Sequence, residues 1–339
     1  MDFLITCKSN YEKILARESD GYQLKPSQQG QGWVLLKGDD KAAFTDLCFA
    51  CHVLLSPLNV SAASVNALTE KLVNLFGQHV GSTRILGPWP FLFFSSTEGP
   101  LIQHAKTVEK YCFQKLQKKM SRVTKLAREG IPAGAKFAEG FFVYFTGFNQ
   151  ALVSFQALSQ GQQRMTMDPQ APSRSYLKIE ESFQVFGRAP RENEKVIDLG
   201  ASPGGWSHSA LKRGASVIAV DNGPLREPVK SHPRVHHLKA DALKYRHEEA
   251  LPVDWLLCDV LEKPEMILEL LEKWFSHRWC RFFIVNLKVG RLDSVALLKS
   301  IRDKNKGLAP YCKELCIRQL YHDREEITLM GEVKPPSSS

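Results

Sequence analysis

The sequence predicts an α/β fold: a Rossmann-like, doubly wound and mostly parallel sheet preceded by a smaller α+β region. Three observations predict it. From residue 175 onward, apolar strand-like runs alternate with helical patterns, as in parallel sheets covered by helices on both faces. One run, VIDL, passes into a glycine-rich turn that opens a helix, the corner where such folds bind nucleotides. Aspartates stand at the ends of successive strands.

Taken in order, residues 1–55 read as a small α+β unit. FLITC is a strand, NYEKILARESD an amphipathic helix and GWVLLKG a second strand. DDKAAFTDLCFACHVL reads as a second helix, with Asp39 or Asp40 as its N-cap. Residues 56–158 form a second block. Ser64–Phe76 has helical periodicity, STRILGP and FLFFSST read as strands, His104–Arg128 as one long helix, and GFFVYF as a strand ending near Gly147. Residues 159–174 are polar and proline-bearing and read as a linker. The 175–332 block carries the strands KVIDL, SVIAVD, VDWLLCD and RFFIVNLK, and residues 333–339 form a tail expected to be disordered.

The length of 339 residues suits two domains. With 43% hydrophobic and 24% charged residues the chain is an ordinary globular one. No stretch approaches the ~18 unbroken apolar residues of a membrane span, and the opening MDFLITCKSNYEK lacks the pattern of a signal peptide. Eight cysteines lie mostly in apolar segments, so buried thiols of a reducing, cytoplasmic setting are expected rather than disulfides. Cys48-x-x-Cys51 has no second CxxC, so no metal site is expected. A net charge of +9 favours a polyanionic partner, nucleic acid first. Lys115, Lys118, Lys119, Arg122 and Lys125 recur at three- and four-residue steps. On one helix they would share a face, expected to contact RNA phosphates on the side of the cofactor pocket.

The turn VIDLGASPGGWS is neither a dinucleotide fingerprint, which would need glycine at Ser202, nor a P-loop. Gly200 opens it, Ser202 and Pro203 follow, and Gly204, Gly205 and Trp206 begin the helix. Asp221 ends the next strand, where an acid accepts from ribose hydroxyls. Asp241 follows RVHHLKA, placed to reach an adenine edge. With Asp198 and Asp259, these carboxylates suit a ligand with a positive centre and two hydroxyls, such as S-adenosylmethionine.

Lys178 precedes the first strand of this block, Asp259 ends VDWLLCD, Lys288 ends FFIVNLK, and Glu326 starts EITLM, with Glu325 as the adjacent alternative. An unpaired buried ammonium is costly, so lysine at the end of an apolar strand implies carboxylate company. Each lysine is expected to depress the other's pKa. Such a set fits methyl transfer to a sugar hydroxyl, with a lysine taking the proton. Cys258 has no activating neighbour in the sequence. A 5-methylcytosine transferase, which needs a Pro-Cys nucleophile, is therefore disfavoured. The intact lysine and acid set also argues against a catalytically silent RNA-binding module.

LGASPGGWS, AVDNGP, CDVLEKP, NLK and LYHDREEIT, in this order, resemble the RlmM-type 23S ribosomal RNA 2′-O-ribose methyltransferases of the FtsJ-like group. SRSYLKIEESF is similar to their pre-sheet segment. The resemblance implies a Lys178, Asp259, Lys288 and Glu326 tetrad with Lys288 as base. It implies S-adenosylmethionine contacts at Ser175, Ser202–Gly205, Asp221, Asp241 and Asp259. It also implies ribosomal RNA, naked or in a pre-ribosomal particle, as partner, at a cytidine of the 23S peptidyl-transferase loop. A ferredoxin-like segment and a THUMP RNA-binding domain in the amino-terminal part, and a monomer, are expected with it.

Overall fold

The computed structural model describes residues 1–39, 42–81, 85–95, 99–133, 137–249, 251–290 and 292–335. The chain divides between Gly161 and Gln162 into two compact units.

The first unit contains β1 (Asp2–Thr6), α1 (Glu12–Asp20), β2 (Lys25–Gly30), β3 (Trp33–Lys37), β4 (His52–Leu55), β5 (Leu58–Ser61), α2 (Val65–Gly81), β6 (Trp89–Phe94), α3 (Pro100–Lys119), α4 (Ser121–Thr124), β7 (Ala127–Glu129), β8 (Ala138–Gly147) and β9 (Gln150–Ser159). Its strands run β2-β3-β1-β4-β9-β8-β6-β7, with β5 also against β9. The pairing of β4 with β9 carries one sheet across residue 55, where a boundary was expected. Aromatic residues fill the core under α2 and α3, among them Phe76, Trp89, Phe91, Phe93 and Phe141.

Three expectations are corrected here. The helix read over 39–54 is absent over 42–54: a short 3₁₀ turn, Ala42–Thr45, is followed by irregular chain and β4. The backbone amides of Cys48 and Phe49 donate to the buried carboxylate of Glu18, at 2.8 and 3.3 Å, so the donors a helix needs are taken. Asp39 caps nothing and lies 3.4 Å from the terminal amine, while Asp40 lies outside the described residues. The strand read in STRILGP is absent over 85–88, and 82–84 lie outside the described residues. The long helix ends at Lys119, where Met120 adopts φ −142°. Beyond it the chain is held to the sheet. Trp89 Nε1 donates to the Val123 carbonyl at 2.8 Å, and β7 pairs with β6.

The second unit contains α5 (Tyr176–Phe186), β10 (Lys195–Leu199), α6 (Gly205–Lys212), β11 (Ser216–Val220), β12 (Val235–Leu238), β13 (Val253–Cys258), α7 (Pro264–Ser276), β14 (Cys280–Lys288), α8 (Ser294–Arg302), β15 (Cys312–Arg318) and β16 (Glu326–Val333). The strand order is β12-β11-β10-β13-β14-β16-β15. Strands β10 to β14 are parallel, and β16 runs antiparallel to both β14 and β15. The reversal of β16 brings its first residue to the carboxyl rim of the parallel strands, with Glu326 opposite Lys288 in register.

The stretch read as a linker is fastened to this unit from residue 162 onward. Gln163 N donates to Glu181 at 3.2 Å, Met165 N to His322 Nε2 at 2.8 Å, and Asp168 pairs with Lys212 and His208. Polar backbone finds partners on the folded unit, so the segment is pinned to it by hydrogen bonds while its side chains stay at the surface. Of the expected tail, 336–339 lie outside the described residues. No helix among the described residues is long and apolar enough to cross a membrane.

Candidate active site

The glycine-rich turn is built by its own neighbours. Gly200 has φ +79°, and a Cβ there would lie 2.9 Å from Val260. A Cβ at Gly205 would collide with the hydroxyls of Ser173 and Ser175, so α6 begins pressed against the segment leading into α5. Ser175 also accepts, through its carbonyl, a 3.0 Å hydrogen bond from Trp206 Nε1. Trp206 is 3% exposed, and its side chain packs into the core of this unit. Asp221 accepts from Ser202 N at 3.0 Å and Gly223 N at 2.7 Å. Two of the roughly four lone-pair sites of its carboxylate remain for ligand hydroxyls. Pro203 completes the turn through its carbonyl, which accepts from Arg226 N. Asp241 accepts from Leu243 N at 3.0 Å and keeps a side chain 42% exposed at the rim. Asp198 lies buried beneath the turn, bonded by Ser207 Oγ at 2.7 Å, and burial raises its pKa to about 7.

Beside this cleft four charged side chains meet. Lys178 Nζ lies 2.6 Å from Glu326 and 3.9 Å from Asp259. Lys288 Nζ lies 3.0 Å from Glu326 and donates to Asp259. The four side chains are 15 to 21% exposed, so water screens them poorly. Two ammonium groups and two carboxylates balance in charge. Lys178 comes from the first turn of α5, Asp259 from the residue after β13, Lys288 from the end of β14, and Glu326 from the start of β16. Glu325 is exposed and uses its carbonyl to receive Val289 N and Gly290 N, so Glu326 is the acid in the cluster.

The electrostatics correct one expectation. Burial pulls the pKa of Lys288 down, but Asp259 and Glu326 outweigh it and hold it above its ordinary value. Burial likewise pushes Glu326 up, and the two lysines bring it below its ordinary value. The carboxylates prevail at Lys288 because both Asp259 and Glu326 lie within hydrogen-bond distance of its ammonium, which outweighs the cost of burial.

A groove of 630 Å³ opens beside Lys288, lined by Leu261, Lys263, Pro264, Val289 and Leu292 among others. Leu261 is 81% exposed there, an unusual position for a large apolar side chain. Cys258 is fully buried, and burial pushes its thiol up to about 12, which leaves no thiolate nucleophile at this rim.

Residues 171–300 match the FtsJ-like methyltransferase family. The "Ribosomal RNA large subunit methyltransferase M" of Laribacter hongkongensis (strain HLHK9) is 30% identical to the chain over 354 residues, covering 96% of this chain and 95% of that protein. The chain belongs to the ribosomal RNA large subunit methyltransferase M family. Proteins of the same name from Thauera aminoaromatica and Azoarcus sp. (strain BH72) are 40% and 41% identical over 181 and 175 residues. Those alignments cover 50% and 49% of this chain, and 49% and 47% of the two proteins. S-adenosylmethionine is the cofactor of a methyltransferase of this kind, and the cleft fits it: glycines where backbone must approach closely, and the carboxylates of Asp221 and Asp241 at its rim.

The five basic residues expected to share one face do not. The helix stops at Lys119, and Arg122 and Lys125 follow the break. Lys115 pairs with Glu70, and Lys119 lies 3.9 Å from the same carboxylate, so part of the charge is answered within the unit. Lys118, Arg122 and Lys125 are exposed, with no ion pair among the described residues.

Three buried polar residues of this unit escaped the sequence reading. Asn286 is a polar residue inside an apolar strand, a signal that was available. Glu181 and Asp323 sit in helical and loop patterns where acids are ordinary, so nothing local marks them. Replacing Asp221 with Ala should weaken S-adenosylmethionine binding by ~1.5–3 kcal/mol through lost charge-assisted bonds, read by calorimetry. Unchanged affinity would remove Asp221 from the cofactor site.

Proposed function

We propose that this protein transfers a methyl group from S-adenosylmethionine to a ribose 2′-hydroxyl of large-subunit ribosomal RNA. The target read here is a cytidine in the peptidyl-transferase loop of 23S RNA. The observation carrying the reading is the Lys178, Asp259, Lys288 and Glu326 cluster at the carboxyl rim, beside the glycine-rich cleft. The bound cofactor supplies a methyl on a positively charged sulfonium, and that charge also favours the neutral form of a nearby lysine.

The protein's part is alignment and proton handling. The cleft aims the cofactor at the cluster. The groove beside Lys288 receives the target nucleotide, its exposed Leu261 and Leu292 offering apolar surface to a base. In its neutral form Lys288 Nζ takes the proton of the 2′-hydroxyl as the ribose oxygen bonds the methyl carbon and the sulfonium–methyl bond breaks, so that the sulfur leaves as a neutral thioether. Asp259 and Glu326 hold Lys288 and Lys178 in place, and Lys178 balances their charge. The amino-terminal unit is read as a THUMP-type RNA-binding region, with Lys118, Lys119, Arg122 and Lys125 supplying phosphate contacts that carry no sequence information.

The test is transfer of labelled methyl to unmodified 23S ribosomal RNA, followed by nucleoside analysis. The expected product is 2′-O-methylcytidine at a single position. Methyl found on a base carbon or nitrogen overturns the reading.

A further inference from the structure

Among the side chains of β14, Asn286 is fully buried and polar. A buried amide costs free energy unless its donors and its acceptor are met. Here they are. Nδ2 donates to Asp323 Oδ1 at 3.0 Å and to Thr328 Oγ1 at 3.2 Å, and Thr328 faces Asn286 in register on β16. Oδ1 accepts from Lys288 Nζ at 2.5 Å. The orientation of the amide is not free. Asp323 is 3% exposed and accepts from Leu320 N at 2.9 Å and from Thr328 Oγ1 at 3.0 Å. A carboxylate takes the NH₂ end of an amide, so the oxygen must face Lys288.

An ammonium group has three N–H donors. Those of Lys288 have Asp259, Glu326 and Asn286 as acceptors. Two acceptors carry a negative charge and the third is neutral. We infer that Asn286 is a positioning residue for methyl transfer: its amide oxygen, oriented by Asp323, aims Lys288 Nζ without placing a third carboxylate on it. A third carboxylate would favour the ammonium form and withdraw the base. The inference rests on Lys288 being the proton acceptor proposed above. The charged groups around Lys288 are Asp259 after β13, Glu326 of β16, Lys178 of α5, Asp323 behind Asn286, and Glu262, Lys263 and Glu265 across the groove.

The test compares Asn286→Asp made in an Asp323→Asn background, which keeps the shape and an amide facing the carboxylate, with Asn286→Ser, which removes the contact without adding charge. The readouts are kcat against pH, KM for RNA, and S-adenosylmethionine affinity by calorimetry. In Asn286→Asp the acidic limb of the kcat profile should move up by about one pH unit or more, about tenfold in rate at fixed pH, with KM and cofactor affinity unchanged. In Asn286→Ser kcat should fall while the limb stays within about half a pH unit of wild type. A limb that does not move in Asn286→Asp, or a wild-type kcat in both variants, overturns the inference. Failure of both variants to fold assigns Asn286 to stability alone and overturns it too. Wild-type kcat in Lys288→Ala is a different result, because it removes the base itself.

Discussion

Replacing Lys288 with Ala is expected to lower kcat by about 10²–10⁴-fold, the range of a lost general base. Cofactor affinity should stay close to wild type, because the cofactor cleft proposed at Gly200–Gly205, Asp221 and Asp241 does not use Lys288. Lys288→Arg should not restore activity. Guanidinium stays protonated at any working pH and cannot take the hydroxyl proton. Because Asp259 and Glu326 raise the pKa of Lys288, wild-type kcat should climb with pH across the neutral range. Single-turnover methyl transfer measured from pH 6 to 9 checks both points. An active arginine variant would reduce Lys288 to an electrostatic role.

The largest stability effect is expected at Glu181. It is fully buried on α5, one turn beyond Lys178. Its carboxylate gathers three backbone donors: Gln163 N at 3.2 Å, Tyr321 N at 2.6 Å and His322 N at 3.0 Å. It thereby ties the entering segment and the turn before β16 to the helix that carries Lys178. Glu181→Ala leaves three partly buried amides without their acceptor, a loss of about 3–5 kcal/mol. Denaturant unfolding measures it, and a change under about 1 kcal/mol would refute the clamp.

The pH dependence has a definite sign. Burial raises the Glu181 pKa to about 7, above the ~4.3 of an unfolded glutamate. The folded state therefore keeps a proton that the unfolded state has lost between those values. Stability falls as pH rises from ~4.5 to ~7, by up to about 1.4 kcal/mol per pH unit for each such group. Asp198, also raised to about 7, contributes in the same direction. The slope should be shallower in Glu181→Ala than in wild type.

Much of the second unit was legible because its signals are local. Parallel strands buried on both faces must be apolar throughout, so KVIDL, SVIAV, VDWLLC and FFIVNL stand out. The first unit was less legible. β2, KPSQQG, is an exposed polar strand with no hydrophobic period to mark it. The helix expected over 39–54 lost its backbone donors to Glu18, some thirty residues away. The run of basic residues kept helical spacing past Met120, but the helix breaks there, resumes only for the single turn of α4, and the chain then joins the sheet as β7 beside β6.

By itself the sequence determined which residues carry charge at strand ends and where the glycines must stand, because both follow from local geometry and from the cost of burying unpaired charge. Tertiary structure alone decided how those residues meet. The antiparallel return of β16 sets Glu326 rather than Glu325 against both lysines. The same register brings Asn286 opposite Thr328 and within reach of Asp323. The sign of the Lys288 shift was decided there too. Coulomb energy depends on distance and on the dielectric around the pair, and neither exists until the strands are side by side.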